Sequence, residues 1–255
     1  MSYYSDASAH FRYLGSPRPS WRPPQFGALG AIAMHWSLSP FEPALVSIPT
    51  GSGKTAIAMA APFFANKPIR RVLALVPTRA LREQIATSFR TGDLLRRIGA
   101  LPEDFEAKPA VVELSGRPKS WAELLAADVV VALPNSISPM HFDEAAQPPR
   151  DLFDLVVVDE AHHSPAPTWQ AVLDHFSEAH ALLLTATPVR RDGKRLPGRQ
   201  VYYYPLRRAL DERFYKPVTP MILTVDAAGD RAEADRAIAE ACVRLLQQDD
   251  TRRAP

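Results

Sequence analysis

Apolar residues in this chain gather in short, nearly uninterrupted runs separated by longer mixed stretches. The runs are Ala44 to Ile48, Val72 to Val76, Val111 to Leu114, Val129 to Leu133, Leu155 to Val158 and Ala181 to Leu184. Runs this apolar, without the alternation of a half-exposed strand, predict strands covered on both faces. Between them, Lys54 to Phe64, Arg79 to Phe89, Ser120 to Ala126 and Thr168 to Phe176 carry the mixed spacing of helices. Strand, helix and strand in series predict an α/β fold, a doubly wound and mostly parallel sheet with right-handed crossovers. Ligands in such sheets bind beyond the carboxyl ends of the strands, so the residues just after each run are where chemistry is expected.

The flanks are less regular. Residues 1–24 are rich in aromatics, arginine and proline without periodicity and read as an N-terminal arm, with regular structure starting near Gln25. Past Pro188 the pattern loosens into the basic, tyrosine-bearing stretch VYYYPLRRALDERFYKP. One more apolar run follows, Met221 to Val225, and then an amphipathic helix from about Asp230 to Gln248. The expected organisation is therefore an arm (1–24), an α/β domain (25–217) and a C-terminal strand and helix (218–255).

Composition narrows the class. The chain has 255 residues, 46% hydrophobic and 23% charged, with a formal net charge of +2. That balance excludes a disordered tail and a coiled coil. A single cysteine, Cys242, excludes a disulfide scaffold and a cysteine-based metal site and suits a reducing cytosol. No apolar run approaches the roughly 20 residues of a membrane span, and the start MSYYSDASAHFRY lacks a signal-peptide core, so a soluble, cytoplasmic protein is expected. The 25 prolines punctuate loops rather than marking a repeat. Charge is unevenly placed: Arg70 to Arg97 is net +5, Arg190 to Lys216 net +6, and Asp226 to Asp250 net −4. Two basic segments suggest a polyanion partner, although a solvated surface explains either one alone.

The first run is followed by Pro49-Thr50-Gly51-Ser52-Gly53-Lys54-Thr55, which leads straight into a helical pattern. Glycines let successive N–H groups curl around a phosphate, and the helix N-terminus adds partial positive charge. Lys54 then reaches the outer phosphates of ATP, and the Thr55 hydroxyl can ligate Mg²⁺. The strict motif would place a glycine where this chain has Ile48. After three further strands, the run Val156-Val157-Val158 delivers Asp159-Glu160-Ala161-His162. Paired acids at a strand end suit a nucleotide triphosphatase, with Asp159 holding Mg²⁺ and Glu160 activating the attacking water. His162 and His163 suit a polar coupling role better than metal ligation, because no cysteine and no H-x-x-x-H spacing accompanies them.

The ordered motifs PTGSGKT, VPTRALREQ, VVVDEAH and LTATP resemble the first motor domain of superfamily two helicases and translocases of the DEAH-box kind. The likeness is nearest to the group of type III restriction subunits and excision-repair helicases, and it covers roughly Arg22 to Pro217. The resemblance implies a RecA-like phosphate-loop domain that binds ATP and Mg²⁺ and contacts nucleic acid, duplex DNA being favoured over RNA. Gln25, within Arg-Pro-x-Gln, would hydrogen-bond the adenine edge, with Arg22 nearby. Thr78, Arg79, Gly116, Arg117 and Asn135 would contact the tracked strand, and Thr185 and Thr187 would couple the ATP site to domain movement. Relatives often carry a threonine near position 133, where this chain has Leu133. Thr78 and the two TAT threonines could instead cap a helix or satisfy backbone.

A motor of this kind closes its ATP site with a second RecA-like domain that supplies arginine fingers. No Q-x-x-G-R-x-x-R-like element follows LTATP, so the expectation is half a motor, completed in cis or in trans. Two other readings stand beside it. One is an ATP-gated nucleic-acid-binding or scaffold module without turnover, which a lost Glu160 would have favoured. The other is a small-metabolite kinase, against which the paired acids and the TAT and PTRALREQ blocks argue.

Overall fold

The computed structural model describes residues 2–15, 19–161, 166–188, 196–212 and 231–253. The chain divides into two compact units, Met1–Tyr215 and Lys216–Pro255. In the second, the helix α10 spans Arg231–Arg253; the run Met221 to Val225 lies outside the described residues. Among those residues no helix is long and apolar enough to cross a membrane.

The first unit is built on a seven-stranded sheet, β1 (Ala44–Ser47), β2 (Val72–Leu75), β3 (Val111–Leu114), β4 (Val129–Ala132), β5 (Leu155–Asp159), β6 (His180–Thr185) and β7 (Arg199–Tyr203). The order across the sheet is β3-β4-β2-β5-β6-β1-β7. Every pairing is parallel. The helices are α1 (Tyr3–Ser8), α2 (Pro23–Leu38), α3 (Lys54–Ala60), α4 (Arg79–Thr91), α5 (Asp93–Ile98), α6 (Ala122–Leu125), α7 (Pro134–Ile137), α8 (Ala166–His175) and α9 (Leu206–Asp211). The expected doubly wound parallel α/β sheet is therefore the fold.

Alternate residues of each central strand feed two separate cores, as the period-two direction of side chains requires. Val46, Val72, Ala74, Val157 and Leu182 face one core. Leu45, Leu73, Leu75, Val156 and Leu183 face the other. Both faces are covered, so the strands carry no polar alternation. Asp154 aligns the sheet's other end, its Oδ2 accepting from the Arg70 and Arg71 N–H groups at 2.9 Å each.

Three elements depart from the sequence expectation. The segment expected to be a loose arm holds α1, with Tyr4 and Ala7 buried in the first core and the Tyr3 N–H donating to Asp128 Oδ1 at 3.0 Å. Regular structure in the next helix starts at Pro23, two residues before Gln25, because proline suits the first helical turn, where its missing N–H has no partner to lose. The stretch after Pro188 contains β7, an edge strand whose exposed Arg199 and Gln200 interrupt any apolar run.

β7 is laid against β1 through Gly198. Its φ of +87° is a left-handed conformation, and an added Cβ would run into the Pro43 backbone. The next residue's N–H donates to Pro43 O at 2.8 Å. Gly198→Ala is expected to destabilise the chain by about 2 kcal/mol, from left-handed strain and the collision together. Urea unfolding checks this; a midpoint unchanged from the parent would show that β7 contributes little.

Candidate functional site

Parallel strands share a direction, so register decides which strand ends come together. Ser47 of β1 pairs with Thr185 of β6, and Asp159 of β5 pairs with Leu184 of β6. The loop after β1, the paired acids after β5 and the TAT turn after β6 thus meet along one edge. The Ile48 N–H donates to Thr185 O at 3.0 Å, tying the start of the phosphate loop to the end of β6.

The loop turns on two glycines, Gly51 at φ +82° and Gly53 at φ +91°. Gly53 also caps α3, and a Cβ there would collide with the Gln25 side-chain amide. Pro49 is buried, Thr50 and Gly51 are exposed, and Thr55 is half-buried at the first turn of α3. The Ser52 hydroxyl is buried and has no hydrogen-bond partner among the described residues.

Arg22 and Gln25 stand on this loop. Arg22 Nη1 donates to Gly51 O at 2.9 Å, and Gln25 Nε2 donates to Gly53 O at 3.4 Å. Gln25 Oε1 accepts from the Arg22 N–H at 3.0 Å, which closes the first turn of α2. The resemblance places Gln25 at the adenine edge with Arg22 nearby, and sequence gives no signal that both hold the phosphate loop's carbonyls.

Lys54 Nζ lies 2.5 Å from Glu160 Oε1, with side chains 7% and 16% exposed. This charge-assisted contact joins the two motifs directly. Sequence spacing gave no signal for it, because 106 residues separate the partners. Burial pushes the Asp159 carboxyl up to about 6; the Lys54 ammonium opposes the rise and the Glu160 charge adds to it. The Glu160 N–H donates to Asp159 Oδ1 at 3.0 Å. Among the described residues Glu160 is the one non-glycine with positive φ, +50°. Such a conformation costs about 1–3 kcal/mol and persists where the surroundings enforce it.

The remaining sites fall as follows. Thr185 is buried, and its hydroxyl donates to Thr187 O at 2.7 Å and accepts from the Thr187 N–H at 3.1 Å, so it closes the turn after β6. Thr78 caps α4, its Oγ1 accepting from the Leu81 N–H at 3.2 Å. Thr78 and Arg79 at the start of α4, Gly116 and Arg117 on the loop after β3, and Asn135 in α7 are all exposed. His162 lies outside the described residues.

A parallel α/β sheet with a glycine-turned loop between its first strand and helix, and a Lys–Glu contact across two strand ends, defines a RecA-like phosphate-loop domain. Residues 18–190 match ResIII, the type III restriction enzyme res subunit family, and the chain belongs to that family. It is 28% identical over 193 residues to the type I restriction enzyme EcoAI endonuclease subunit of Escherichia coli, a match covering 71% of this chain and 22% of that one. The chain spans 22–25% of the length of the curated relatives it matches. Among solved structures it is similar to the UvsW helicase from bacteriophage T4, with a TM-score of 0.47, 18% identity, and coverage of 75% of this chain and 61% of that one. It is also similar to a nuclease-deletion mutant of the type ISP restriction-modification enzyme LlaGI in complex with a DNA substrate mimic. That TM-score is 0.47 at 17% identity, covering 76% of this chain and 20% of that one.

Two predictions follow from the geometry. Glu160→Gly and Glu160→Ala both lose the Lys54 contact, but glycine alone also relieves the left-handed backbone. Glu160→Gly is expected to be more stable than Glu160→Ala by about 1 kcal/mol in thermal unfolding; equal stabilities would mean that position 160 carries no strain. Asp159 binds its proton more tightly folded, at about 6, than at its ordinary 3.8. Stability from this group is therefore full below pH 4 and lost as pH rises to 6, an amount of about 3 kcal/mol. With chelator present, Asp159→Asn should raise the Tm at pH 8 and lose that advantage near pH 4.

Proposed function

We propose that this chain is the ATP-binding domain of a superfamily two, DEAH-box nucleic-acid motor that couples ATP hydrolysis with Mg²⁺ to movement on DNA. The observation that carries the reading is the meeting of Lys54, Asp159 and Glu160 at one sheet edge, with the Lys54–Glu160 contact at 2.5 Å. Loop and acids fit the ligand. Two left-handed glycines leave loop N–H groups free of Cβ crowding, and the buried Ser52 hydroxyl lacks a partner among the described residues. Thr55 and Asp159 offer hard oxygens, and a carboxyl that holds its proton through burial gains from a cation beside it. Mg²⁺ held there would supply charge neutralisation on the phosphates. Among the described residues no group of three or more acids, histidines or cysteines could hold a metal ion, so its remaining ligands would be phosphate and water.

The chain's own residues then divide the work. The Lys54 ammonium leaves Glu160 for phosphate oxygens. The released Glu160 carboxylate orients a water and takes its proton as the water oxygen bonds to the terminal phosphorus and the bridging P–O bond breaks. Arg22 and Gln25 keep the loop in shape and present the adenine-facing side, and His162 couples the acids to their surroundings. Thr78, Arg79, Gly116, Arg117 and Asn135 offer hydroxyl, guanidinium, amide and open backbone to a nucleic-acid backbone. Thr185 and Thr187, fixed between the phosphate loop and the acid pair, relay changes there to a second RecA-like domain, in cis or in trans. That domain supplies the arginines that such phosphate transfers use, worth about 10³–10⁵ in rate.

Nucleotide binding and turnover test this reading. The chain should bind ATP–Mg²⁺; Lys54→Ala should weaken binding at least about tenfold, and Glu160→Gln should keep binding but abolish hydrolysis. Fluorescent-nucleotide titration and phosphate release, with and without duplex DNA, single-stranded DNA and RNA, measure both. Absence of Lys54-dependent binding overturns the ATP site. Fast DNA-stimulated turnover by this chain alone overturns the need for a second domain.

A further inference from the structure

Beyond the nucleotide site, the loop after β3 meets the segment after α7, and together they carry aromatic rings that ATP chemistry does not use. The Arg117 guanidinium lies over the Phe142 ring, 5.7 Å from its centroid, within cation–π range. Phe142 meets Trp121 with centroids 5.3 Å apart and planes tilted by 53°. Both rings are half-buried rather than sealed into the core, while Arg117 and Lys119 are exposed. Neighbouring Met140 is 60% exposed, which extends the apolar surface outward.

This patch adjoins the carboxyl edge of the sheet. Arg82 of α4 donates through Nη1 to the carbonyl of Leu114, the last residue of β3, at 3.1 Å. The same helix begins at the exposed Thr78 and Arg79. Arg117 is the cation set against the rings, with Lys119 exposed two residues further along, and Glu123, Asp143 and Glu144 are exposed in the same two segments. A ring pair with a guanidinium against it matches an unpaired strand, whose phosphates need positive charge and whose bases need flat apolar surfaces. A duplex keeps its bases stacked on one another and offers none to such rings.

We propose that Trp121, Phe142 and Arg117 form a stacking seat for a nucleobase of an unpaired nucleic-acid strand. The proposal rests on the nucleic-acid reading above and narrows it from backbone contact to base contact. Fluorescence anisotropy with labelled oligothymidylate and an abasic strand of equal length and charge tests it. The unaltered chain should bind oligothymidylate at least about fivefold more tightly than the abasic strand, the low end for one stacked base. Phe142→Ala and Trp121→Ala should erase that ratio and leave abasic affinity unchanged, while Trp121→Phe should retain it. Equal affinity of the unaltered chain for the two strands overturns the seat and leaves the backbone track standing. Binding to neither strand overturns both, and neither comparison depends on a variant folding.

Discussion

An ammonium and a carboxylate held 2.5 Å apart in a poorly hydrated cleft tie the phosphate loop to the end of β5. Bringing two charges out of water is costly, and their attraction offsets that only while both remain in place. The parallel register fixes their positions: β6 lies between β1 and β5 and sets how far each strand reaches. The cleft is therefore a property of the whole sheet and not of the loop, since a slip in either pairing would separate the charges.

Much of the architecture was legible because burial on both faces leaves a plain mark. Six strands coincide with the apolar runs to within a residue or two, their polar residues lying mostly at strand ends, with Glu113 inside the edge strand β3 the exception. β7 escaped because an edge strand needs apolar residues on few of its positions, and Arg199 and Gln200 broke its run. α1 escaped for another reason: six residues cannot hold a helix alone, and this one depends on Asp128 and the aromatic packing around Tyr4.

The candidate site was legible as motifs and not as contacts. Gly51, Gly53, Lys54 and Thr55 announce a phosphate loop by spacing, and Asp159 and Glu160 announce themselves by following three valines. That Arg22 and Gln25 grip the loop's carbonyls required knowing where the start of α2 lies. That Trp121, Phe142 and Arg117 gather required knowing that two loops meet. Residues whose roles are local could be read; residues whose roles depend on distant chain could not.

The left-handed backbone at Glu160 has a meaning in terms of handedness. Along a strand, neighbouring side chains point to opposite sides, so Asp159 and Glu160 in extended backbone would serve different faces of the sheet. A single residue at φ +50° breaks that alternation at the point where the strand ends. A mirror-image glutamate would rest easily at those angles, yet inversion at Cα exchanges side chain and hydrogen and would turn the carboxylate away from Lys54. The chain thus keeps an L-residue in the conformation its chirality disfavours, which is how two adjacent acids come to face one cleft.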